Sequence, residues 1–253
     1  MYSHTIDAFA ALAQKKSSLL KNKPMSFLIG AIMAGVYVGL GVILIFSLAL
    51  DIPPDYLKLV MGCSFGIALT LIVFAGSELF TGHTMYMTLG LLEGRTSRYD
   101  LAYSWSMSWF GNFLGSIGLC LLFYLGGSVD IIGGSDSLLQ KIATSKMNSP
   151  AIELFIRGAL CNTLVCLALW ASARTDSDSA KCIIIFWCLF AFIASGYEHS
   201  VANMTLLTLA LVAEHSEQVT IGGLFYNLFW VTLGNILGGA GFVAYGYWKA
   251  NGS

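Results

Sequence analysis

Long apolar runs separated by short polar loops organise the chain. The pattern is therefore read in windows of about 20 residues, the length that crosses a bilayer as a helix. Residues 27–49 form the first such run, and 101–126, 151–172 and 221–248 are further uninterrupted ones. Two others carry polar residues at their middle. Residues 57–92 are interrupted by Gly-Ser-Glu-Leu-Phe-Thr-Gly-His at 76–83, and 182–213 by Gly-Tyr-Glu-His-Ser-Val-Ala-Asn-Met at 196–204. Each is too long for one plain span and predicts two half-helices around a non-helical stretch. The expected fold is all-α and integral to the membrane, with six transmembrane helices, the second and fifth broken at the midplane. Ahead of the first span, Ile6, Phe9, Ala10 and Ala13 recur at helical spacing, which suits an interfacial helix over 5–20 or a short frayed tail.

The two halves of the chain echo each other. Gly76-Ser-Glu78 and Gly196-Tyr-Glu198 open the two interruptions, and Gly111-Asn112-Phe-Leu-Gly115 and Gly234-Asn235-Ile-Leu-Gly238 lie in the spans that follow. Gly30-Ala31-Ile32 pairs with Gly158-Ala159-Leu160 in the first and fourth spans. Matches in the same order predict a three-helix unit used twice. An odd number of spans inverts the second copy, and inverted repeats with paired broken helices put a transport site at the midplane. The predicted organisation is one transmembrane channel domain over 1–253. It comprises an N-terminal segment 1–26, a first repeat 27–126, an outer connecting loop 127–149 and a second repeat 150–248. The Gly-xxx-Gly spacings at Gly35–Gly39, Gly111–Gly115 and Gly234–Gly238 predict close helix contacts.

Composition agrees with this pattern. Of 253 residues 57% are apolar and only 11% charged, with a mean hydropathy of +0.74 and a net charge of −1. Soluble domains carry about 25% charge, so a soluble enzyme, a disordered chain and a nucleic-acid binder are excluded. Cys63, Cys120, Cys161, Cys166 and Cys188 sit inside apolar runs and Cys182 at the start of one, with no Cys-x-x-Cys pair. Neither a disulfide framework nor a metal or other cofactor is expected. Lys15, Lys16, Lys21, Lys23, Arg95, Arg98, Arg174, Lys181 and Lys249 fall on one side of the predicted membrane, against Lys58, Lys141 and Lys146 on the other. Both termini are thus expected in the cytoplasm. The first apolar run is too long, and starts too far into the chain, for a cleaved signal peptide.

Ionisable groups at membrane depth are costly and mark function. They are Glu78, Arg157, Glu198 and His199. His199 titrates near neutral pH and lies in the second break, where an imidazole can donate to an anion or hand it a proton. Glu78 and Glu198 hold equivalent positions and are expected to accept from backbone N–H groups freed by the breaks, supporting the broken helices. Arg157 is expected to snorkel outward. Thr81 offers a hydroxyl within reach of His199, and Asn162 an amide from the fourth span. Phe65, Leu69, Leu79, Phe80, Val165 and Phe192 are candidates for apolar constrictions or for ordinary packing.

The run Gly76-Ser-Glu-Leu-Phe-Thr-Gly-His83, with Gly196-Tyr-Glu-His-Ser-Val-Ala-Asn-Met204 and Cys161-Asn-Thr-Leu-Val-Cys166, resembles the formate/nitrite transporter family, and its nitrite-channel branch in particular. The match spans essentially the whole chain. The resemblance implies an aquaporin-like protomer with its own pore, assembled as a homopentamer in a bacterial inner membrane. It implies a central His199 facing Thr81. It further implies an outer constriction of Phe65, Phe80 and Phe192 and an inner one of Leu69, Leu79 and Val165. Lys146 matches a basic residue that draws anions inward, and Asn162 a polar pore residue.

The physical problem is the same without the family. A bare monovalent anion bears a large desolvation cost in crossing two apolar rings. A weak acid avoids it by taking a proton midway. The expected function is therefore a passive or proton-coupled channel for small weak-acid anions, with nitrite first and formate or hydrosulfide as alternatives. The partners expected are the anion, protons and lipid. Competing classes fit less well. An aquaporin needs Asn-Pro-Ala at both half-helices, yet Pro24, Pro53, Pro54 and Pro150 all lie outside the breaks. An ammonium channel needs paired pore histidines, with only His83 to join His199. An intramembrane metalloprotease needs His-Glu-x-x-His, and a serine protease needs a serine better placed than Ser200, adjacent to His199.

Overall fold

A computed structural model describes residues 1–132 and 134–252. The chain is all-helical among these residues. Helix α1 (Ser3–Asn22) leads at once into α2 (Pro24–Leu48), Pro24 ending one helix and starting the next. Then follow α3 (Pro54–Gly76), α4 (Phe80–Leu92), α5 (Arg98–Leu125), α6 (Leu138–Asn148) and α7 (Ala151–Ser172). The chain closes with α8 (Asp178–Ala194), α9 (Ser200–Val212) and α10 (Ile221–Ala250). A reciprocal capping box between Ser97 and Asp100 starts α5, and hydroxyl caps from Ser137, Ser177 and Thr220 start α6, α8 and α10.

Five of these helices, α2, α3, α5, α7 and α10, are long and apolar enough to cross a membrane, whereas α9 is a shorter apolar helix. The glycine spacings act as expected of close contacts. A Cβ added at Gly115 would collide with the carbonyl of Ile32 in α2, and one at Gly238 with that of Ala159 in α7. These helices approach backbone to backbone, where only glycine fits.

The ends of the bundle are more ordered than the sequence pattern suggests. Of the two expectations for residues 5–20, the frayed tail is overturned. α1 is a helix whose Ile6, Phe9, Ala10, Ala13 and Leu20 are buried against protein. Phe9 stacks on Tyr86 of α4 at 5.5 Å between ring centroids and on Trp170 of α7 at 5.8 Å. The segment 127–149 is not a plain loop either, since α6 buries Leu139, Ala143 and Met147 and its Gln140 side chain donates to the Ala210 carbonyl at the end of α9. Thus α1 lies on α4 and α6 lies on α9.

Candidate functional site

Both breaks are shorter than the sequence pattern implies. α3 ends at Gly76 with φ +79, and the turn after α8 passes through Gly196 with φ +70, a left-handed conformation that glycine adopts without steric cost. The chain then runs extended through Ser77–Leu79 and Tyr197–His199 before a new helix begins at Phe80 or Ser200. Residues 80–83 and 200–204, read from sequence as part of the interruptions, are the first turns of the half-helices.

The freed backbone groups are satisfied in the same way at each break, though not by the glutamates. The Glu78 N–H donates to the Gly30 carbonyl (3.1 Å) and the Phe80 N–H to Asn112 Oδ1 (2.9 Å). The Asn112 amide returns bonds to the carbonyls of Ala31 (2.8 Å) and Glu78 (3.0 Å). At the second break the Glu198 N–H donates to the Arg157 carbonyl (3.3 Å) and the Ser200 N–H to Asn235 Oδ1 (2.9 Å). The Asn235 amide donates to Gly158 (2.8 Å) and Glu198 (3.0 Å). A carboxamide can accept and donate at once, which a carboxylate cannot. That is why asparagine does this work and the expected carboxylate-to-backbone bonding is corrected. The bonding also pairs Ala31 with Gly158, one residue out of the register of the Gly30-Ala31-Ile32 match.

The carboxylates instead hold side chains from the peripheral helices. Glu78 Oε1 accepts from Lys16 Nζ of α1 (2.6 Å), and Glu198 Oε2 from Lys146 Nζ of α6 (2.7 Å). Both glutamates are buried, 8% and 4% exposed at the side chain, so each charge depends on its lysine.

His199 caps α9. Its Nδ1 accepts from the Ala202 N–H (3.1 Å), and its Nε2 lies 3.1 Å from Thr81 Oγ1 of α4. A ring nitrogen that accepts from a backbone N–H carries no proton, so this geometry assigns the neutral ring with hydrogen on Nε2. The Phe192 ring stacks over the imidazole at 5.9 Å, and Phe65 meets Phe192 edge-on at 5.6 Å. A cavity of about 10 Å3, room for about one water-sized molecule, joins His199 to Phe65, Leu69, Leu79, Val165 and Phe192. On one side of it opens a vestibule of about 290 Å3 lined by Lys58, Lys146, Arg157 and Glu198. A second opening of about 450 Å3, lined by Lys15, Lys16, Lys23 and Glu78, lies beside α1.

Two predicted site residues fall elsewhere. Phe80 is buried but lines a lateral groove between α5 and α10 with Trp105, Trp109 and Phe229, not the cavity of Phe65 and Phe192. Asn162 donates to the Thr81 carbonyl (3.2 Å), Thr84 Oγ1 (2.9 Å) and the Asn235 carbonyl (2.6 Å), locking α7 to α4 and α10. Neither residue is among those lining the His199 cavity. Arg157 pairs with Glu153 at 2.7 Å and is partly exposed, in keeping with an outward-reaching side chain. The sequence reading missed Asn112 and Asn235, although both stand inside the glycine repeat it noticed. It also missed Lys16, which charge counting alone could not aim at a buried glutamate.

Residues 3–249 match the protein family described as formate/nitrite transporter. The chain is 49% identical over 250 residues to the nitrite transporter NirC of Escherichia coli (strain K12), covering 99% of this chain and 92% of that one. A solved FNT family ion channel superposes with a TM-score of 0.96 at 49% identity, over 98% of this chain and 99% of that one. A pentameric formate channel with formate bound superposes with a TM-score of 0.76 at 28% identity, over 92% and 99%.

Proposed function

Because the chain belongs to the formate/nitrite transporter family, we propose that it conducts small monovalent weak-acid anions, nitrite first, through a pore within each protomer. It is a membrane transport protein rather than an enzyme, as its named relatives are transporters and channels. The relative named for nitrite supports the substrate, and the pentameric neighbour supports a homopentamer. We read the chain as one channel domain of two inverted three-helix units, α3/α4 and α8/α9 being the broken spans. The matching Asn112 and Asn235 clamps support this reading. The lysine and arginine distribution supports cytoplasmic termini in a bacterial inner membrane.

The observation that carries the proposal is His199, which lines a one-molecule cavity between apolar side chains while Thr81 Oγ1 holds its Nε2 at 3.1 Å. The anion is drawn into the vestibule by Lys146, whose pairing with Glu198 keeps the site from trapping it. Half-helices α4 and α9 both begin at the breaks and present the positive ends of their dipoles there. The anion takes a proton from vestibule water, as nitrite plus a proton gives nitrous acid, and the neutral acid passes the Phe65–Phe192 ring. Inside the cavity the acid takes over the Nε2–H hydrogen bond from Thr81 Oγ1. The acid then passes Leu69, Leu79 and Val165 and releases the proton beyond. A neutral imidazole that gave up Nε2–H outright would be left as an anion, so His199 acts as a hydrogen-bond donor and the proton travels with the substrate. Formate or hydrosulfide would follow the same route.

The test is nitrite against formate uptake into liposomes holding the purified chain, at about pH 5.5 and 7.5 on either side of the ordinary histidine pKa. Nitrite flux that exceeds formate flux, rises at the lower pH and collapses in His199→Ala supports the proposal. Flux indifferent to His199→Ala refutes it.

A further inference from the structure

The two glutamate–lysine pairs are braced at the same positions by chemically different groups. On the Glu198 side, Asn203 Nδ2 donates to Glu198 Oε2 (2.6 Å) and lies against Asn227 Oδ1 (2.8 Å), and Asn227 Nδ2 donates to the Lys146 carbonyl (2.9 Å). On the Glu78 side, His83 Nε2 lies 2.8 Å from Glu78 Oε2, and His83 Nδ1 lies 2.7 Å from Ser104 Oγ. His83 follows Glu78, and Asn203 follows Glu198, by five residues. Ser104 precedes Asn112, and Asn227 precedes Asn235, by the same eight residues. One brace is made of amides, which do not titrate. The other is an imidazole, which does. His199, which also lines the Lys146 vestibule, has its Nδ1 already taken by the Ala202 N–H, so a second proton there would break the α9 cap.

The bonding around His83 permits a proton to be added without disruption. Ionised Glu78 only accepts, so Nε2 carries hydrogen, and the neutral ring takes a hydrogen from the Ser104 hydroxyl at Nδ1. A proton added at Nδ1 reverses that bond, because a hydroxyl accepts as readily as it donates. The cluster of Lys16, Glu78 and His83 then changes from neutral to one positive charge, beside an opening that Lys15 and Lys23 already line. The groups facing His83 are few. Glu78 comes from the break, Lys16 from α1 through Glu78, and Tyr86 from its own helix at 5.6 Å. α2 presents the edge of Phe27 and α5 presents Ser104 and Trp105, whose indole donates to the His83 carbonyl. The Cys166 thiol of α7 points to the Thr81 carbonyl, and Glu93 and Arg95 at the end of α4 bond Trp248 and Asp7.

We propose that His83 is a positioning residue through which the opening beside α1 gains positive charge, and with it anion affinity, as protons accumulate on that face, while the Lys146 vestibule lacks this response. The inference rests on the channel reading and assigns it a sidedness.

The experiment uses right-side-out and everted membrane vesicles from cells making the full chain, with vesicles from the same cells lacking it as blank. Initial nitrite rates give KM as the bath pH is lowered from about 7.5 to about 5.5, the opposite side being held constant. In the wild type, KM measured from the α1 face falls several-fold more steeply than KM from the other face. His83→Gln, whose amide reaches where Nε2 stands, and His83→Asn, which copies the Asn203 brace, both lose that extra slope. Their response from the other face matches the wild type. A merely structural role would lower rates from both faces and leave the slopes alone. An extra slope that survives in both variants overturns the inference while leaving the channel reading intact. Wild-type vesicles that carry no more nitrite than the blank overturn both. The reciprocal variant Asn203→His is expected to create a slope on the Lys146 face.

Discussion

Asn235→Ala removes one side chain and disconnects three elements. Asn235 is completely buried, and its carboxamide joins the first N–H of α9 to α10 while binding carbonyls of α7 and of the second break. The Ser200 N–H sits in the first helical turn, where no intrahelical carbonyl can replace the lost acceptor. Leaving it buried and unpaired costs about 1–3 kcal/mol, and the stranded Glu198 carbonyl adds about 1 kcal/mol. Gly158 lies inside α7 and retains its helical bond, so its loss is smaller. A total near 3 kcal/mol, at about 2–4 °C per kcal/mol for a chain of this size, lowers the melting temperature by roughly 6–12 °C. Tryptophan fluorescence of the protein melted in detergent reads this directly. The same variant frees the backbone on both sides of His199, so nitrite flux in liposomes is expected to fall more than the loss of folded protein explains. A melting temperature within about 2 °C of the wild type, equivalent to less than about 1 kcal/mol, would refute the clamp.

Lys146→Ala strands the buried Glu198 charge and is expected to cost about 3–5 kcal/mol of stability. The double variant Lys146→Ala/Glu198→Gln should recover most of that loss while still showing a raised KM for nitrite, which separates support from anion attraction. Phe192→Ala removes the ring that stacks on His199 and closes on Phe65. Its flux should rise for anions larger than nitrite, measured as selectivity in the same liposomes, and unchanged selectivity would exclude Phe192 from the constriction. Lys16→Ala unties α1 from Glu78. Faster amide hydrogen exchange over residues 3–22 than in the wild type is expected, and equal exchange would show that the apolar face of α1, with its Asp7–Arg95 and Lys21–Asp100 pairs, suffices to hold it.

The two interruptions of helix were legible in position, though not in extent, because sequence carries their cause. Gly76 and Gly196 are followed by polar residues inside apolar runs, and only a non-helical backbone that is buried or lines a cavity survives at that depth. His199 and Thr81 drew notice in the sequence for the same reason, as polar groups at the interruptions. Their approach was expected as well, and the structure puts them 3.1 Å apart although 118 residues separate them in the chain. Phe80 shows the limit of reading side chains by type. It is as apolar and as buried as Phe65, yet the first turn of α4 directs it to a lateral groove. Nothing local to Phe80 records that turn.

Sequence by itself determined the apolar character of the chain, the long apolar helices, the glycines at which two of them stop and the glycines where helices touch, because each follows from composition and spacing along one stretch of chain. Tertiary structure alone decided which groups answer the freed backbone and the buried charges. Asn112 and Asn235, and Lys16 and Lys146, act across 32 to 81 residues of chain. A hydrogen bond in a low-dielectric interior is set by distance and direction in space, and the pattern along the chain constrains neither until the helices have packed.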